Sequence, residues 1–117
     1  MARASRRCAL TGQGAFEAVF RTGRRRDGEL VQLVSAKAAR ECGRVGFVIG
    51  RKALPRAVDR NRVRRLLRVA LDEASAFTEG LDVIVRVKRG TPRAELASIV
   101  AETTRLLASL ATHNRAP

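Results

Sequence analysis

The thirty residues from Val45 to Ala74 (VGFVIGRKALPRAVDRNRVRRLLRVALDEA) limit what this chain can fold into more than any other stretch. They read as an apolar strand from Val45 to Ile49, a basic turn from Gly50 to Arg56, and an amphipathic helix from Ala57 to about Ser75, with Pro55 where a helix can begin. At 100° per residue, Val63, Leu66, Leu67, Ala70, Leu71 and Ala74 share one face, the 3.6-residue period of a helix lying on a core. Asn61, Arg62, Arg64, Arg65 and Arg68 fall on the opposite face. Between Arg51 and Arg68 there are eight Arg or Lys residues and one acid, Asp59. Like charges three and four residues apart each cost a helix a few tenths of a kcal/mol. Ordinary solvated faces mix both signs, so repulsion sustained over several turns points to a polyanion that relieves it.

Composition agrees with that partner. A chain of 117 residues is one domain with a modest core, and 45% hydrophobic content with only 3% aromatics means a core of Leu, Val, Ile and Ala. The net charge is +13 and the sequence pI about 11.7, in the range where nucleic acid is the expected partner. Arg outnumbers Lys 21 to 3, which suits phosphate, because a planar guanidinium bonds it in a forked, bidentate way. Cys8 and Cys42 lack C-x-x-C spacing and the sole histidine is His113, so no zinc site can be assembled and free thiols in a reducing cytoplasm are expected. No apolar run approaches the ~18 residues that span a bilayer. The first sixteen residues contain Arg and no acid, which loosely suits a transit peptide, but a short flexible basic arm over residues 1–9 is the simpler account.

The remaining elements follow in order. Thr11 can cap a short helix with Ala15, Phe16, Val19 and Phe20 on its apolar side, and Gly23 can end it. Two Phe one turn apart commonly bury themselves; they can also form a stacking surface for unpaired bases, worth roughly 1–3 kcal/mol per base. Arg24 to Gly28 is a basic turn or edge strand, Leu30 to Ser35 a strand, and Ala36 to Gly43 a polar connection. Leu81 to Val87 alternates, with Leu81, Val83, Val85 and Val87 on one face of a half-buried strand. Thr91 as cap and Pro92 as first helical residue open a last helix to about Leu110, with Leu96, Val100, Leu106, Leu107 and Leu110 on one side and a frayed tail over 112–117. The fold class is therefore α+β: one domain over 10–111 with a mixed β-sheet packed with helices, ordered helix, strand, strand, strand, helix, strand, helix.

The string Arg60-Asn61-Arg62, followed by Val63-Arg64-Arg65-Leu66-Leu67-Arg68 and preceded by Gly46-Phe47-Val48-Ile49 and Arg51-Lys52, resembles the R-N-R signature of the bacterial ribonuclease P protein family. The resemblance runs from about Leu10 to Leu110. It implies an unusual left-handed βαβ crossover, and docking of Arg51, Lys52, Arg56, Arg60, Asn61, Arg62, Arg64, Arg65 and Arg68 on a catalytic RNA subunit. It further implies that Phe16 and Phe20, flanked by Lys88 and Arg89, line a cleft for the single-stranded 5′ leader of precursor tRNA. Asn61 has a second reading, a hydrogen bond at the helix start. Two departures stand out: Gln32 to Val34 contain no aromatic where the family often has one, and GRKALPR replaces the commoner S-K-K-x-G-N turn.

Hydrolysis of a phosphodiester by a protein needs a carboxylate metal site or a placed acid and base. Here the acids are scattered, Asp72-Glu73 and Glu79 with Asp82 reading as surface charge, so no catalytic or metal-binding residue is expected in the protein. The family resemblance assigns Mg²⁺ and catalysis to the RNA, with the protein a cytoplasmic monomer within the holoenzyme that lowers its Mg²⁺ requirement. A general structured-RNA or ribosomal protein would share the charge. A helix-turn-helix DNA regulator would need a second helix beside the Arg helix, where strands are expected instead, and a membrane-surface helix would need its Leu residues outside the core.

Overall fold

The computed structural model describes residues 8–38, 43–74 and 80–115. In chain order they form β1 (Cys8–Ala9), α1 (Gln13–Thr22), β2 (Arg24–Asp27), β3 (Val31–Lys37), β4 (Arg44–Val48), α2 (Ala57–Glu73), β5 (Leu81–Val87), a 3-10 turn (Arg93–Glu95) and α3 (Leu96–Arg115). The strands make one mixed sheet ordered β1-β4-β5-β3-β2. β1 and β4, and β4 and β5, run parallel; β3 is antiparallel to both β5 and β2. The two central parallel strands, β4 and β5, are thus joined through α2.

Alternation along the strands divides the apolar residues between two faces. On one, Val45, Val83, Val85, Val87, Val31 and Leu33 pack with Val63, Leu67 and Leu71 of α2 and with Leu96, Ile99, Leu107 and Leu110 of α3. On the other, Val34 and Ile84 pack with Leu10 and with Val19 of α1, while Phe16, Phe20 and Val48 are half-buried against them. The sheet therefore sits between two unequal helical layers. The larger layer carries the core, and the smaller leaves part of its face open.

Several expectations are corrected. Cys8 and Ala9, placed in a flexible arm, pair with Arg44 and Val45 as a short edge strand; residues 1–7 lie outside the described residues. Gly12, not Thr11, is the N-cap of α1, because its φ of 91° turns the chain out of β1 and leaves Thr11 one residue too early. Leu66, assigned to the buried stripe of α2, is 38% exposed, while Asp59 takes the inner position at the start of that helix. Thr91 does not cap a helix: its hydroxyl bonds the Arg89 carbonyl, and Pro92 stays extended at ψ 149°, so helical geometry begins with the 3-10 turn at Arg93. α3 then runs to Arg115, through most of the expected tail, since neither Gly nor Pro interrupts Ala111 to Arg115. Asp82 is not surface charge but 4% exposed, bound to Arg44 through its backbone N–H at 2.9 Å and its guanidinium at 2.9 Å. The middle of the polar connection (39–42) and Glu79 lie outside the described residues.

Candidate nucleic-acid interface

The basic turn is held by two buried apolar residues. Ala53 and Leu54 both donate backbone N–H groups to the Gly50 carbonyl and are 6% and 1% exposed, and the Ala53 carbonyl accepts from Thr91 N–H. Sinking that pair into the core leaves Arg51, Lys52 and Arg56 exposed around it. α2 starts after Arg56 with no side-chain cap, so its first N–H groups add to the attraction for an anion. Asp59, the acid of its first turn, is 6% exposed and faces Arg93 at 3.5 Å, which removes it from the basic surface.

The R-N-R residues divide their work. Arg60 Nη1 donates to the Leu54 carbonyl at 2.8 Å and the Pro55 carbonyl at 2.9 Å, bracing the turn against the helix. Asn61 Oδ1 accepts from Arg64 Nη1 at 3.1 Å, so it orients a neighbouring guanidinium rather than the helix start. Arg62 and Arg65 are exposed, and Arg68 lies 5.6 Å from the centroid of the Phe47 ring, its charge at the surface over the sheet edge. Turn and helix thus present one continuous cationic surface, with Val58 and Val69 exposed beside it.

Across the sheet, α1 sets Phe16 and Phe20 half-buried at the edge of its cover. Phe16 rests on Gly46, where a Cβ would stand 2.6 Å from the ring Cζ. Arg25, which sequence reasoning passed over, donates to the Phe20 carbonyl at 2.8 Å and places its guanidinium 5.5 Å from the Phe20 ring centroid. Lys88 is on this face, bonded to Asp27 Oδ1 at 3.2 Å and to the Gly28 carbonyl at 2.9 Å. These bonds, Lys88 first and then Gln32, hold the Asp27 carboxyl below its ordinary pKa. Arg89, exposed just past the end of β5, pairs loosely with Glu29 at 3.6 Å. Phe16, Phe20 and Lys88 thus share a face, with Arg89 the next residue along the chain. Gln32 and Val34, the strand positions without an aromatic, do face it, as their pairing with Arg86 and Ile84 requires.

Among the described residues no group of three or more His, Cys, Asp or Glu side chains is placed to hold a metal ion, and no helix is long and apolar enough to cross a membrane. The chain matches the family model for ribonuclease P over residues 4–111. It is similar to ribonuclease P protein components from Nitrosococcus oceani, 33% identical over 72% of this chain and 71% of the relative, and from Chromobacterium violaceum, 31% identical over 82% and 79%. Among solved structures it resembles the ribonuclease P proteins of Staphylococcus aureus (TM-score 0.71, 15% identity, covering 90% of this chain and 98% of that one) and Thermotoga maritima (TM-score 0.69, 21% identity, 88% and 96%), likenesses that speak for the fold. With the R-N-R helix carried between parallel strands of a mixed sheet and a family match spanning nearly its whole length, this chain belongs to the ribonuclease P protein family.

Proposed function

We propose that the chain is the non-catalytic protein subunit of ribonuclease P, acting in the cytoplasm on the 5′ leader of precursor tRNA together with a catalytic RNA. The observation that carries the reading is the continuous cationic surface of turn and α2, its single nearby acid turned inward, within a chain of this family. Such a surface suits the phosphates of a folded RNA, whose backbone shape is read rather than its sequence. On the other face of the sheet, Phe16 and Phe20 offer ring surface to unpaired leader bases, with Lys88 nearby and Arg89 at the strand end for phosphate.

The described residues supply no donor set that fits Mg²⁺. Mg²⁺ on the RNA would stabilise charge at the scissile phosphate. The protein's part is to hold leader and RNA together so that the bond beside the mature tRNA end meets those ions, and to neutralise phosphates that would otherwise demand more Mg²⁺. As a monomer it has one surface for each partner.

The test is cleavage of a leader-bearing precursor tRNA at low Mg²⁺ by the catalytic RNA alone, the protein alone and both. Efficient cutting at the mature 5′ end only by the mixture supports the reading. Absence of stimulation with the cognate RNA, alongside equal binding to unrelated structured RNAs, replaces it with a general RNA-binding role.

A further inference from the structure

The open part of the α1-bearing face carries a cross-strand row that the two phenylalanines do not account for. Register places Val48, Arg86, Gln32 and Asp27 side by side on β4, β5, β3 and β2. Three of them are linked: Arg86 Nη1 donates to Gln32 Oε1 at 3.4 Å, and Gln32 Nε2 donates to Asp27 Oδ1 at 3.1 Å. Lys88 closes the row on the same carboxylate oxygen. Gln32 is 9% exposed, so this amide is fixed between its two neighbours, with its oxygen turned to Arg86.

Four cations belong to this face by register: Arg25, Arg44, Arg86 and Lys88. Arg44 is spent on buried Asp82, Lys88 on Asp27, and Arg25 lies against the Phe20 ring and carbonyl. Arg86 is exposed and, among the described residues, has no acid partner, only the long amide contact. It stands two residues from Ile84, roughly 7 Å along the strand, and Ile84 belongs to the cluster that Phe16 and Phe20 edge.

We infer that Arg86 is a leader-binding residue, gripping a phosphate of the single strand where a stacking aromatic is lacking, with Gln32 and Asp27 as the positioning residues that aim it. The inference rests on the leader-binding reading of this face. Because the contact is ionic, the leader is held by charge more than by base identity, and one fewer phosphate is neutralised when Arg86 is lost.

The experiment measures the affinity of the reconstituted holoenzyme, wild type and Arg86→Gln, for a long-leader precursor tRNA and for mature tRNA across a salt series. Arg86→Gln is expected to weaken long-leader binding about fivefold at moderate salt, as one exposed charge-assisted contact would, and to lower the salt slope by about 0.7, the single-strand value per phosphate. Mature tRNA should bind unchanged. Phe16→Ala serves as the comparison: it weakens leader binding without altering the slope. An unchanged long-leader affinity or slope, or equal weakening for both ligands, overturns the assignment of Arg86. If the wild-type holoenzyme itself does not prefer the leader-bearing form, the leader-binding reading falls, and this inference with it.

Discussion

Arginines of the basic helix should fail in different ways. Six side chains of the turn and helix are exposed cations, namely Arg51, Lys52, Arg56, Arg62, Arg65 and Arg68. If each neutralises one phosphate at about 0.7–0.9 units of slope, raising salt from about 50 to 200 mM should weaken catalytic-RNA binding roughly 300- to 2,000-fold. Arg65→Ala removes one contact, so the same salt step should then cost roughly 100- to 500-fold, with thermal stability unchanged. Arg60→Ala instead removes the two bonds that tie Leu54 and Pro55 to the helix. Losing bonds from a charged donor at a part-buried site should cost about 1.5–3 kcal/mol, or about 5–12 °C in Tm for a domain of this size, with most of the salt slope retained. Filter binding across a salt series and calorimetric melting of both variants separate the effects. If Arg60→Ala melts like wild type and loses as much slope as Arg65→Ala, the division of labour drawn from the geometry is wrong.

Glu102 of α3 accepts the N–H groups of both Leu30 and Val31 at 2.8 Å and is 7% exposed. Glu102→Ala should therefore cost about 2–4 kcal/mol in urea unfolding, and Glu102→Gln, which keeps an acceptor oxygen, about half as much; equal losses would contradict the account. Gly46→Ala should force Phe16 off the sheet at a cost of about 1–3 kcal/mol and weaken leader binding while leaving catalytic-RNA affinity intact, a pairing that parallel binding assays can deny. Asp27, with its pKa lowered below 3.8, favours the folded state above that value, and the benefit is lost as pH falls through the depressed value. Carboxyl NMR titration should show the midpoint rising in Lys88→Met; no change would remove Lys88 as the main cause.

Strand and helix periodicity was legible because most of it is carried by uninterrupted Val, Leu and Ile patterns, as in Leu81 to Val87 and Val63 to Leu71. Long-range polar pairing was not. Nothing local in Asp82 says that Arg44 lies beside it, and Glu102 reads as one more acid until the hairpin at Leu30 is seen to need an acceptor. Arg86 was hidden for the same reason: its distinction is that its neighbours are compensated and it is not, which only strand register discloses. Leu66 shows the limit of periodicity itself, since an apolar residue at the flank of a stripe is covered only if a neighbouring element reaches it. Thr11 and Thr91 were plausible caps by type, displaced when adjacent Gly12 and Pro92 set the backbone.

The two-sided arrangement of the sheet has an electrostatic consequence. α2 lies on one face, and Phe16, Phe20 and Arg86 belong to the other, in a body whose smallest principal extent is 28 Å. A helix layer plus the sheet separates the surfaces by about 15–20 Å, roughly twice the screening distance of ions at physiological strength. On the proposed reading, two negatively charged strands would lie about that far apart, so the part of their repulsion that runs through solvent is largely screened. The protein layer would then serve that reading as a spacer, with its own cations on each side offsetting what repulsion remains.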